Sequence, residues 1–138
     1  MTRSILAVVS GLVAWMVVAT LLNFGLRAGL AGYTQAEPAL TFTLGMKLAR
    51  LILGALASLA AGAAAGLIAP SRMGPRWVLG AIILALFIPV HIQLWVKFPV
   101  WYHLVFLGTL LPLVALGAAI TSARVRTSPT ELGHKISV

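Results

Sequence analysis

The sequence predicts an all-α membrane protein, a four-transmembrane-helix bundle running up-down-up-down. Three observations carry that prediction. Of 138 residues, 61% are hydrophobic and 9% charged, where a soluble domain carries about a quarter charged residues. The mean hydropathy is +1.06. Four intervals, residues 4–26, 51–71, 77–96 and 98–123, contain no Asp, Glu, Lys or Arg. Each reaches the length of about 20 apolar residues that a helix needs to cross a bilayer core.

The first helix is expected over about 4–26. Its uncharged run exceeds the roughly 7–15 residues of a secretory signal's apolar region, so it reads as a span that stays in the chain. It ends in Asn23 and Arg27, one turn apart, followed by Gly29 and Gly32. Residues 28–40 form the longest expected loop. Pro38 suits the first turn of a new helix, where its missing N–H costs nothing, which places the second helix at about 39–69. At 1.5 Å per residue that helix is about 45 Å long, so its first turns, with Lys47 and Arg50, should reach water or snorkel. Pro70 and Pro75 bound a short turn. The third helix is expected at about 77–96 and the fourth at about 100–122, with Pro89 and Pro112 inside them as bends. Residues 1–123 thus make one transmembrane domain, and 124–138 a polar cytoplasmic tail.

The cations set the orientation. The N-terminus, the 70–76 turn and the tail hold Arg3, Arg72, Arg76, Arg124, Arg126 and Lys135; the opposite side holds Arg27, Lys47, Arg50 and Lys97. The positive-inside rule then puts both termini in the cytoplasm. The net charge of +8 is scattered over loops and helix ends rather than gathered in a stripe. That distribution implies anionic lipid headgroups as the partner and argues against nucleic acid. Cysteine is absent, which removes disulfides and thiolate sites.

The second helix carries Gly54, Ser58, Gly62 and Gly66 at four-residue spacing, beside Ala57, Ala61 and Ala65. Lipid accommodates apolar side chains as well as a neighbouring helix does, so association depends on the close backbone approach that small residues permit. Packing inside the chain is the first expectation; self-association or a second membrane subunit is the alternative. Trp15 is expected as a packing anchor.

Polar chemistry concentrates at one hairpin. Lys97-Phe98-Pro99 is its tip, and His91 and His103 each lie six residues away, at matching depths of roughly 6–9 Å. Gln93 stands near His91, and Trp95, Trp101 and Tyr102 make an expected interfacial belt. The imidazoles can hydrogen-bond water, headgroups or a neighbouring helix. Alternatively they serve a proton relay or quinone site, or ligate haem; zinc would need Glu37 as a third ligand. Glu37 is expected to pair with Lys47 or Arg50. Asn23, Arg27, Lys47, Arg50, His91, Gln93 and His103 together could line an outward-facing polar vestibule.

Enzymatic machinery is harder to build. There is no Asp, and the two Glu, Glu37 and Glu131, are expected on opposite sides, so neither a carboxylate pair nor a Ser-His-Asp triad can form. No glycine-rich phosphate loop occurs. No catalytic residue, metal site or cofactor is expected, haem through His91 and His103 being the one alternative.

The run PVHIQLWVKFPVWYHL, preceded by the small-residue helix, resembles a set of small, uncharacterised four-helix bacterial inner-membrane proteins. The resemblance covers most of the chain and implies that membrane; it implies no activity. The functional expectation is an accessory or scaffold subunit packing against other membrane helices. A small transporter or channel component using the vestibule is the alternative, and a haem- or quinone-linked redox subunit a third.

Overall fold

The computed structural model describes residues 1–127. Glu131 and Lys135, and most of the tail expected to be polar and cytoplasmic, lie outside the described residues. The chain forms α1 (Thr2–Gly29), α2 (Tyr33–Ala39), α3 (Leu44–Ile68), α4 (Gly74–Gln93) and α5 (Val100–Thr127). All but α2 are long and apolar enough to cross a membrane. They alternate in direction, as a four-helix membrane bundle with no strand among the described residues.

Several boundaries depart from the sequence expectation. Residues 28–40 are not a loop throughout, because Tyr33–Ala39 coils into a short helix with Pro38 inside it. Gly32, at φ 78°, supplies the left-handed entry that a side chain would strain. The second span consequently starts at Leu44. Thr43 takes the N-cap position, its Oγ1 accepting from the Met46 N–H at 3.3 Å, which satisfies one of the orphan donors of a helix start. The third span opens at Gly74 with Pro75 in its first turn, where proline is pre-organised, and ends at Gln93. The fourth continues five residues past Ser122 to Thr127.

Packing is centred on α3, which lies most closely against α5 and next against α1, while α4 closes the bundle against α5 and α1. In the α3/α5 pair, Gly54 faces Phe106, Gly62 faces the backbone of Val114 and Ala118, and Gly66 faces Ala118 and Thr121. Gly117 of α5 returns the approach against the Leu59 carbonyl and Ala63 nitrogen. Contacts this close leave backbone oxygens within reach of hydroxyls: Thr121 donates to Ala63 O at 3.1 Å and Ser122 to Gly66 O at 3.5 Å. The small-residue row is thus spent on packing within the chain. Ser58 turns instead toward α1, donating to Gly54 O at 2.7 Å and accepting from the Trp15 indole N–H at 3.3 Å. In the α1/α4 pair, Gly11 lets Leu79 approach, and Trp15 tilts against Phe87 with ring centroids 4.9 Å apart.

Large apolar side chains such as Ile5, Met16, Ile52 and Leu86 project outward, each more than 60% exposed. Water would make such a surface an aggregation hazard; hydrocarbon makes it the solvent-facing side. Call the two extremities the terminal end, with Met1, the α3–α4 turn and the end of α5, and the hairpin end. At the terminal end Arg72 donates to Ser4 Oγ at 3.2 Å and Arg126 to Pro70 O at 2.7 Å.

Candidate functional site

The hairpin end holds a cavity of about 430 Å³. α2 makes it possible. Folded back over the bundle end, α2 buries Tyr33 and Ala36 in an apolar cluster with Phe42, Met46, Phe98 and Tyr102. That burial aims the Tyr33 hydroxyl inward and sets Glu37 over the end of α1.

A continuous polar chain results. Arg50 Nη1 donates to Tyr33 Oη at 2.7 Å, and Tyr33 donates to Asn23 Oδ1 at 3.0 Å. Asn23 Nδ2 donates in turn to Glu37 Oε1 at 3.4 Å. Arg27 closes the row, with Nε and Nη2 each 2.8 Å from Glu37 Oε2. Asn23 and Arg27, one turn apart on α1, thus grip the same carboxylate from one helix face. The expectation that Glu37 pairs with Lys47 or Arg50 is corrected here: its cation is Arg27, because α2 sets Glu37 over the end of α1 while Tyr33 takes the Arg50 side.

Arg50 is left with no carboxylate within salt-bridge distance among the described residues. Its guanidinium lies over the Phe42 ring at 4.9 Å and interacts with the Tyr102 phenol. Its Nε is buried without an acceptor. Arg50 therefore does not snorkel as expected; with α3 starting at Leu44, it sits about 9 Å along the helix and lines the cavity. Lys47, one turn earlier, is drawn over the Phe98 ring at 5.9 Å and does not line it.

The lower wall is apolar, formed by Leu53, Gly54, Phe87 and Phe106 down to Trp15. Polar rim and apolar floor are separated along α1 by the twelve positions from Arg27 to Trp15, about 18 Å.

The histidines stand behind this wall. His91 Nδ1 and His103 Nδ1 are 2.7 Å apart, so one imidazole donates to the other. Their matching depth was legible in the sequence, and their partner is each other. Both are buried, at 4% and 0% exposure. His91 packs on Phe106 at 4.7 Å and His103 stacks on Trp95 at 4.8 Å. His103 Nε2 has no partner. With ring centroids 5.0 Å apart, the pair would have to part before a haem could enter between them, and Glu37, the third ligand considered for zinc, is engaged with Arg27 and Asn23.

The expected vestibule is therefore assembled in part. Asn23, Arg27 and Arg50 line the cavity together with Glu37; His91 and His103 form a closed pair beside it; Gln93 is exposed at the end of α4 and joins neither. The aromatic belt is likewise corrected at one position: Trp95 and Trp101 are exposed, but Tyr102 is buried against Phe98, since its helix face turns toward Arg50. Tyr33 escaped sequence reading because nothing marked its loop as a helix. Phe87 and Phe106 carried a signal, lying four residues from His91 and Tyr102 on the same helical faces.

No known protein family, curated protein or solved structure matches the chain.

Proposed function

We propose that this protein is a membrane-embedded binding protein, the binding component of a small transporter or channel, whose hairpin-end cavity receives an anion. The observation that carries this reading is Arg50: a guanidinium in an intramembrane cavity, tied to tyrosine hydroxyls and without a carboxylate. Ionisable groups at such depth are costly and mark ligand pathways. Arg27 cannot play the part, since Glu37 already neutralises it. The accessory-subunit reading drew on the scarcity of soluble mass, the missing catalytic groups and the small-residue row, and Gly54, Gly62 and Gly66 of that row pack against α5 within the chain.

The membrane we propose is a bacterial inner membrane, with both termini cytoplasmic and the cavity opening outward. Charge supports the orientation. Five cations, Arg3, Arg72, Arg76, Arg124 and Arg126, lie at the terminal end. Of the four opposite, Lys47 and Arg50 are folded onto aromatic rings and Arg27 is paired with Glu37, leaving Lys97 at the hairpin tip.

The test is thermal unfolding in mild detergent with benzoate or phenyl phosphate, against benzyl alcohol. A ligand that binds only the folded state raises the midpoint as its concentration exceeds Kd. The anions should stabilise the wild type and not Arg50→Gln, and the alcohol neither. Indifference to every anion, with a second membrane protein co-migrating in native-lipid particles, would favour the subunit instead.

A further inference from the structure

The reading of the cavity as an anion site leaves the rest of its occupant undefined, and the shape of the walls defines it. Resting on that reading, we infer that the cavity takes an anionic amphiphile: one carboxylate or phosphate head on a single apolar body, held head at Arg50 and tail toward Trp15.

The head position follows from the guanidinium's own geometry. Nη1 donates to Tyr33 at 2.7 Å, which leaves the side-on edge of Nε and Nη2 without a carboxylate. That edge matches the two oxygens of a carboxylate or phosphate in a forked pair. Nε lies buried without an acceptor, a cost that an anion's oxygen would remove once the guanidinium turns this edge into the cavity. The Tyr102 phenol also interacts with Arg50 and lines the cavity. Glu37 repels an anion from the rim, but Arg27, 2.8 Å away, and Asn23 offset its charge.

The tail position follows from what lies below. Tyr33 links Arg50 to Asn23, so the guanidinium is level with Asn23 on α1. From there α1 runs eight residues to Trp15, about 12 Å. Over that distance the walls are Ala19, Leu53, Phe87 and Phe106, interrupted only by Thr20. The indole N–H of Trp15 is already donated to Ser58, so the floor offers little to a polar solute. A small hydrophilic anion would satisfy Arg50 and leave this floor empty or wet; an apolar body fills it. The volume, about 430 Å³, lies within the range of sites for drug-sized ligands, about 300–1,000 Å³.

The molecule can come from the bilayer, as a single-chain lipid, or from solution, as an apolar carboxylate. The test separates these. Protein retaining only Trp15 (Trp77, Trp95 and Trp101 replaced by Phe) is placed in phosphatidylcholine nanodiscs and titrated with ω-bromoundecanoate, whose terminal bromine quenches a nearby indole. The inference predicts saturable quenching, reversed by undecanoate and not by undecanol or acetate. Arg50→Gln should weaken it about tenfold or more, and Ala19→Leu, which narrows the floor while keeping Arg50, should weaken it too. Mass spectrometry of organic extracts then assigns the source: a retained single-chain anion points to the bilayer, and no retained lipid with tight undecanoate binding points to solution. If acetate or inorganic phosphate competes as well as undecanoate, the amphiphile is overturned and the anion site stands. If undecanol competes equally, or quenching never saturates, both are overturned.

Discussion

Replacing Gly62 with alanine puts one methyl group where two helices touch. A Cβ at that position meets the Val114 carbonyl and the Ala118 nitrogen, all backbone atoms. A side chain could rotate away; the backbone of α5 cannot, so α3 and α5 must separate. Alanine itself favours the helix by about 1 kcal/mol over glycine. Against that stands an overpacking cost of typically about 1–3 kcal/mol. Separation also loosens the Thr121 and Ser122 bonds to α3 carbonyls, which in membranes average about 0.6 kcal/mol each. The balance is a net loss of about 1–3 kcal/mol. Gly108, on α5, has nothing within 4 Å of its Cβ position, so Gly108→Ala should be neutral or gain up to about 1 kcal/mol. Unfolding in mixed micelles by increasing SDS, followed by tryptophan fluorescence, reports both. If Gly62→Ala unfolds at or above the Gly108→Ala midpoint, the packing described for α3 and α5 is wrong.

Two further predictions use side chains rather than backbone. A Cβ at Gly54 meets the Phe106 ring at 2.7 Å, so Gly54→Ala should destabilise and Phe106→Leu in the same chain should recover part of the loss; strictly additive effects would deny the contact. His103→Phe strands the buried Nδ1 of His91, at a cost of about 1–3 kcal/mol, whereas replacing both histidines by Phe removes donor and acceptor together and should cost less. A double variant weaker than either single one would rule out the His–His bond.

Much of this architecture was legible because one physical quantity, length of uncharged apolar chain, fixes spans in a bilayer. The Gly62/Gly66 row was legible for the same reason: small residues at four-residue spacing have few uses in lipid. Its partner on α5, with Gly117 and Thr121 in one row and Ala118 and Ser122 in the next, carried the same spacing and went unremarked because Pro112 and the aromatic hairpin dominate that helix. Pro38 was ambiguous, fitting either the start of a span or the inside of a short helix, and Thr43 decided the matter by capping Leu44. The site was half legible. The Asn23–Arg27 spacing announced one helix face, and the positions of His91 and His103 announced a pair. The link between Arg50 and Tyr33 depends on α2 folding back over the bundle end, a tertiary fact with no local periodicity, so the sequence could name Arg50 without knowing that it turns inward.

The most direct test of the whole account asks on which side of the membrane each end lies. Single cysteines at two exposed positions, Gln35→Cys on α2 and Met73→Cys in the α3–α4 turn, can be probed in intact cells with a membrane-impermeant maleimide. The account predicts immediate labelling at position 35, beside the cavity, and labelling at position 73 only after permeabilisation. Equal labelling of both from outside would contradict it, and with it the outward-facing site built around Arg50.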